Sequence, residues 1–218
     1  MLARKLLRFL LIAFLLAGIG YGASHGLPAA LADIQSLKAR AQIDRWREGR
    51  AVVPTVMEWN SVRNRMLRAL ATAPDNAQLL DDLGFLYAYR AQNLPDDNEL
   101  DELRKSLLTE AAAYFHSSAV LRPMFPYGWA QYALAQHYLG EPDAVIWPAF
   151  DRALAYGRNE APIQMMLVRI AFARWSALGA ERERRIVDMV ADAPERMQQP
   201  LIELAAQHAI SLELPVRQ

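Results

Sequence analysis

Few side chains in this sequence are of types and spacings that could do chemistry. The four histidines, His25, His116, His137 and His208, stand alone, none within four residues of another. Zinc enzymes commonly set two ligands on one helical face at such a spacing, so no metal site is expected. The chain has no cysteine, which removes thiol nucleophiles, thiolate ligands, disulfides and the acceptor of a lipoprotein-type anchor. The acidic run Asp96-Asp97-Asn98-Glu99-Leu100-Asp101-Glu102 superficially suggests calcium. A calcium loop of the EF-hand kind needs oxygen ligands at alternate positions and a glycine at its sharp turn, and this run breaks both requirements, with Leu100 and no glycine. Asp81 and Asp82 resemble a carboxylate dyad, but adjacent helix residues point about 100° apart and would not share a substrate. There is no Gly-x-Ser-x-Gly elbow and no glycine-rich phosphate loop. Catalytic residues and a cofactor are therefore not expected, and a polymer-modifying hydrolase would lack a convergent acid, base or nucleophile.

The composition bounds the partners. In 218 residues, 24 Lys and Arg balance 24 Asp and Glu, and 53% of residues are hydrophobic. One or two domains fit this length. Nucleic acid is excluded as a partner, because a phosphate-binding surface needs a clustered cationic excess. The one cationic cluster of note precedes an apolar stretch: Arg4, Lys5 and Arg8 are followed by a run from Phe9 to Ala32 with no formally charged side chain. Its most apolar part, Phe9 to Ile19, has the length of a signal-peptide core, and the whole run is long enough for a bilayer core of about 30 Å. The basic flank predicts a cytoplasmic N-terminus and export of the remainder of the chain. Ala30-Leu31-Ala32 before Asp33 has the small-x-small form of a cleavage site but lies well beyond the apolar core. Retention in the inner membrane is the expectation, and cleavage with release to the periplasm the alternative. Residues 1–32 are thus set apart as a signal anchor or transmembrane segment, and 33–218 as the folded domain.

That domain must be all-α. Apolar residues recur at helical intervals, as in Trp59, Val62, Met66, Leu67 and Leu70. Punctuation places the ends: Gly49 closes a helix over Arg40 to Gly49, and Pro54-Thr55-x-x-Glu58 opens the next with a capping box. Pro74-Asp75-Asn76, Gly140-Glu-Pro142-Asp143, Gly157-Arg-Asn159, Gly179 and Ala193-Pro194 act likewise. Seven or eight antiparallel helices are predicted beyond the leader. Pro148 is expected to kink its helix. Arg182, Arg184 and Arg185, interleaved with Glu181 and Glu183, read as a salt-laced outer face.

Internal similarity is more specific. Ala69-Leu70-x-x-x-Pro74, followed by Leu80-x-x-Leu83-Gly84-x-x-Tyr87, resembles the tetratricopeptide repeat. A second junction, Phe115-x-x-Ser118-Ala119-x-Leu121-x-Pro123 with Trp129-x-x-Tyr132-Ala133, lies 49 positions on. The usual period is about 34 residues, so roughly 15 extra residues intervene. The polar segment Asn93 to Glu102 suits a long loop that holds them. Gly84 and Ala133 then allow close helix crossings, and Leu83, Tyr87, Phe115, Trp129 and Tyr132 fill the space around them. A less regular pair follows from Asn159 through Trp175, and helices near 181–190 and 195–212 cap the stack. The resemblance implies a solenoid of stacked hairpins whose first helices line a concave groove for an extended partner segment. The positions it turns inward are Gln78, Asp81, Phe85 and Tyr89 in one pair and Tyr127, Leu134, His137 and Tyr138 in the next. Aromatic rings with polar tips suit peptide and carbohydrate alike.

A narrower resemblance rests on Leu121-Arg-Pro-Met-Phe-Pro-Tyr-Gly-Trp129, Ala149-Phe-Asp-Arg-Ala-Leu-Ala-Tyr-Gly157 and Ala193-Pro-Glu-Arg196. Together with the N-terminal apolar segment, these resemble a proteobacterial family of single-pass, tetratricopeptide-like accessory proteins of exopolysaccharide biosynthesis. That resemblance implies a non-catalytic periplasmic scaffold at the inner membrane, binding protein subunits of a polysaccharide synthesis or export complex. Direct glycan binding is the alternative.

Overall fold

The computed structural model describes the backbone of residues 2–212, with side chains from residue 12 onward apart from 21 and 23–25. Regular structure among the described residues is helical: α1 (Leu2–Arg47), α2 (Val56–Thr72), α3 (Ala77–Gln92), α4 (Asp101–Leu121), α5 (Pro126–Tyr138), α6 (Asp143–Gly157), α7 (Ala161–Ala173), α8 (Ala180–Asp192) and α9 (Glu195–Gln207), with short 3₁₀ turns at Asn98–Leu100 and Trp175–Ala177. The sequence expectation of a leader followed by a separate helix from Arg40 is corrected, because α1 joins the two. Pro28 removes one backbone bond, but Ala29, Ala30, Leu31 and Ala32 around it are strong helix formers that carry the helix on. Gly49 ends it with φ +65°. Its N–H donates to the Trp46 carbonyl (3.1 Å) and that of Arg50 to the Arg45 carbonyl (2.8 Å), the two bonds of a Schellman cap. Thr55 opens α2 as the sequence requires. The Glu58 N–H donates to Thr55 Oγ1 (3.2 Å), and the Thr55 N–H donates to Glu58 Oε2 (2.9 Å). The Thr55 N–H and hydroxyl, both donating to Glu58 Oε2, hold the Glu58 carboxyl below the usual carboxylate range.

Contacts divide the chain into two units, Met1–Leu79 and Leu80–Gln218. In the first, α1 packs on α2. Among the described residues, α1 buries Ala32, Ser36, Ala39, Ile43 and Trp46, one helical stripe, and α2 buries Trp59, Val62, Met66 and Ala69. The Ser36 hydroxyl donates to the Asp33 carbonyl (3.0 Å), which satisfies it inside the packing. The helix runs without a break past residue 32, where the sequence sets the leader apart from the folded domain. Among the described residues, no helix is long and apolar enough to cross a membrane. The segment expected to do so, residues 1–32, lies partly outside the described side chains, His25 among them.

In the second unit, α4 packs on α5, α5 on both α6 and α7, and α7 on α8 and α9. Contact between α5 and α7, alternate helices in sequence, is what stacking of hairpins produces. The main core joins Trp129, Ala133, Ile146, Phe150, Leu154, Ile163, Leu167 and Ile170 to Met189 and Leu201 of the closing helices. A smaller cluster joins Ala88 of α3 to Ala111, Ala112 and Phe115 of α4 and Ala135 of α5. The polar segment between α3 and α4 is a loop tied by local bonds. Asp97 Oδ1 accepts from the Glu99 N–H (3.0 Å), and Arg104 donates to Asp101 (2.6 Å) and the Pro95 carbonyl (2.8 Å). Helix α6 continues through Pro148. Arg182 forks onto Asp151 of α6 at 2.8 and 2.7 Å, so it links two helices instead of answering the carboxylates beside it in sequence.

Small residues sit where helices approach most closely. A Cβ placed on Gly84 would lie 2.6 Å from two ring carbons of the fully buried Phe115. One on Gly128 would lie 3.3 Å from the Ala119 Cα and Cβ. Gly84→Ala weighs a helix-propensity gain of up to about 1 kcal/mol against overpacking of about 1–3 kcal/mol. Thermal unfolding is expected to show a net loss of about 1–2 kcal/mol, partly restored by Phe115→Leu in the same chain. Stabilisation by Gly84→Ala alone would contradict the crossing.

Candidate functional site

On a helical wheel, Gln78, Phe85 and Tyr89 fall within an arc of about 40° on α3, while Asp81 lies about 60° round from Gln78. Packing follows that geometry. Phe85 and Tyr89 are partly exposed and stack on each other, with ring centroids 5.4 Å apart. Gln78 is exposed and lies in the first unit, where its N–H donates to the helix-capping Asn76 Oδ1 (3.1 Å). Asp81 is only 2% exposed. It faces α4, where its carboxylate pairs with Arg122 and accepts a hydrogen bond from Ser118. Arg122 Nη2 also donates to Ser118 Oγ (3.0 Å), and its guanidinium lies 4.4 Å over the Phe125 ring. Burial pushes the Asp81 carboxyl up, opposed by Ser118 and Arg122. Asp81 therefore joins α3 to α4 instead of presenting itself to a partner.

Along α5, Tyr127, Gln131, Leu134 and Tyr138 share one face by their spacing. Gln131 Nε2 donates to the Tyr127 hydroxyl (2.8 Å), and Tyr138 is exposed. Leu134, only 6% exposed, belongs to the core, so it supports this face from below. His137 is half-buried, its ring 5.5 Å from that of Tyr138. Its Nδ1 accepts from Arg174 Nε (3.1 Å) at the end of α7. Arg174 further donates to Asp143 Oδ1 (2.5 Å) and the Glu141 carbonyl (2.9 Å). One guanidinium thus binds the ends of three helical segments together. Burial, then the charges of Arg174 and His208, lower the His137 pKa. Accepting from a guanidinium also requires a neutral imidazole.

Six of the eight expected positions therefore reach the surface, and Asp81 and Leu134 pack beneath it. Gln131 and Arg174 were not singled out from sequence. The four-residue step from Tyr127 could have marked Gln131, whereas Arg174 is 37 residues from its histidine partner and carries no local signal. The arrangement offers flat rings with hydrogen-bonding ends. Among the described residues, no group of three or more His, Asp or Glu is placed to hold a metal ion. His116 lies on the surface with its ring 4.9 Å from Tyr132.

Comparison of folds fixes the class. The chain is similar to the crystal structure of a thermophilic TPR protein of Thermus thermophilus, with a TM-score of 0.54 over 91% of this chain and 94% of that one, at 17% sequence identity. The fold is tetratricopeptide-like. No family model matches the chain, and no curated protein matches it in sequence.

Two measurements test these networks. Arg122→Met is expected to cost about 2–4 kcal/mol in chemical denaturation because it strands a buried carboxylate, and Asp81→Asn less than half of that because Arg122 reaches solvent. Equal losses would count against the network. His137 is charged more readily when unfolded than when folded, so its contribution is complete above the ordinary histidine pKa of about 6.5 and is lost as pH falls below it. NMR titration should show the His137 ring protonating below that value, and His137→Gln should flatten the loss of stability on acidification.

Proposed function

We propose that the protein is a membrane-tethered periplasmic adaptor that holds a protein subunit of a polysaccharide synthesis or export complex. The observation that carries this reading is the partly exposed aromatic surface on successive first helices, Phe85 stacked on Tyr89 in α3 and Tyr127, Gln131 and Tyr138 along α5. Such rings supply rigid apolar area with a hydrogen-bonding tip, which recognises a partner without transforming it. Stacked helical repeats build extended surfaces of this sort, and the tetratricopeptide-like fold supports a protein as the occupant. His137, held by Arg174, gives that surface a positioned imidazole edge.

Tethering is supported from the other end of the chain. Ile12, Phe14, Leu15, Leu16 and Ile19 of α1, within a run that carries no charged side chain, are 59–81% exposed. A helix apolar all round has a favourable environment in lipid and none in water. Arg4, Lys5 and Arg8 before the uncharged run favour a cytoplasmic N-terminus and a periplasmic remainder. The polysaccharide pathway follows from the resemblance of the segments around Leu121–Trp129, Ala149–Gly157 and Ala193–Arg196. Direct glycan binding is the second reading, favoured by the Tyr127–Gln131 pair, whose hydroxyl and amide lie together beside a flat ring.

The test is photo-crosslinking from position 138 of the full-length chain in intact cells. A discrete protein adduct, reduced about tenfold by changing Tyr89 and Gln131 together to Ala, is the expected result; each 1.4 kcal/mol lost at a binding surface is a factor of about ten. Adducts to polysaccharide alone would replace this reading with the glycan one. A C-terminal phosphatase fusion that works only outside the cytoplasm should be active, and a stable but inactive fusion would overturn export.

A further inference from the structure

The face of α1 directly opposite α2 is apolar and uncovered. Leu27, Ala30, Ile34, Leu37 and Ala41 are all exposed, Leu27, Ile34 and Leu37 at 60–67%. Their spacing is three, four, three and four residues, the a and d positions of a coiled coil. The stripe that packs on α2, Ala32 to Trp46, lies on the other side of the same helix, so a neighbour on the exposed seam would leave the hairpin undisturbed. Lipid cannot cover all of the seam, because Asp33 ends the uncharged run while Ile34, Leu37 and Ala41 continue beyond it.

We propose that α1 pairs in parallel and in register with α1 of a second copy of this chain through the seam from Leu27 to Ala41. Charge selects that occupant. With Ile34 at a and Leu37 at d, Asp33 falls at g and Lys38 at e, and in a parallel in-register pair each g residue faces the e residue five positions later on its partner. Asp33 of either copy therefore meets Lys38 of the other, twice per pair. Lys38 has no ion pair among the described residues, while Asp33 holds Arg40 at 3.2 Å on its own helix. The next such pairing would set Arg40 against Arg45, and the next d position is Asp44, so like charge and a carboxylate close the seam after Ala41. An antiparallel neighbour would exchange the Asp33–Lys38 match for one between Asp33 and Arg40, so charge matches either direction. The common direction of the two helices rests on the anchored reading, since copies inserted from one side run parallel and are confined to two dimensions. That confinement matters, because a seam of about fifteen residues is marginal for helices meeting freely in water.

The absence of cysteine makes the test direct. Ala30→Cys, Ile34→Cys and Leu37→Cys are introduced singly into the full-length chain, with Gln35→Cys and Gln42→Cys, both outside the seam, as references. Oxidation in native membranes is expected to yield disulfide dimers at 30, 34 and 37 and several-fold less at 35 and 42. Identical residues meet along the whole seam only if the helices are parallel and in register. Absence of dimers, or equal yields at all five positions, would overturn the pairing and leave lipid or another protein as the cover. Lys38→Asp should lower the yield at 37 about threefold, and adding Asp33→Lys should restore it; no change in either variant would overturn the charge match. Alkaline washing of the same membranes reads the anchoring separately. Release of the chain there would defeat the tether, whereas the phase of the disulfides decides the pairing.

Discussion

The Phe115 ring occupies the space that a Cβ on Gly84 would take, and the second unit is organised around that contact. Where a helix has no side chain, its neighbour can bring a large ring up to the backbone and exclude water from both. Gly128 against Ala119 does the same between α4 and α5 with a smaller partner. Dispersion at such contacts is gained only at close range, so one added carbon forfeits more than it contributes. The crossings also set the rotation of each helix, and rotation decides which side chains remain outside. Phe85 and Tyr89 are surface residues because Gly84 and Leu83 face inward.

Polar side chains then fix what apolar packing leaves loose. Asp81 and Arg122 join α3 to α4, Arg182 and Asp151 join α8 to α6, and Arg174 gathers His137, Asp143 and the Glu141 carbonyl. Each arginine brings a planar fork to acceptors on a different helix, which specifies register where alanine-rich surfaces would slide. In the first unit a hydrophobic stripe sets the register, with the Thr72 hydroxyl donating to Gln35 Oε1 (3.4 Å) between the two helices. Ala32, Ser36, Ala39, Ile43 and Trp46 form a stripe against α2, and α1 keeps a second apolar stripe on its far side.

Much of this was legible in the chain. The capping box at Thr55, the glycine stop at Gly49, the proline punctuation before α3 and α5 and the small residue at position 84 all act within a few residues, and local chemistry suffices to read them. The joining of the leader to the first helix was not legible. An uncharged run ending in a small-x-small motif reads as a boundary, yet the helix formers after Pro28 outweigh one missing bond. Asp81 and Leu134 were assigned to the open surface by analogy with repeat geometry, and their burial arises from their angular position relative to neighbours that the sequence does not display.

The amino-acid sequence by itself determined where helices begin and end, that no strands compete with them, and which glycines and alanines permit close approach, because capping bonds, propensity and hydrophobic period operate over one or two turns. Only the tertiary structure decided which carboxylate would be sealed beneath Arg122, that Arg174 would meet His137 across 37 residues, and which face of each helix would be left to water. Those outcomes depend on the angles and distances between helices, which are set by all their side chains packing at once.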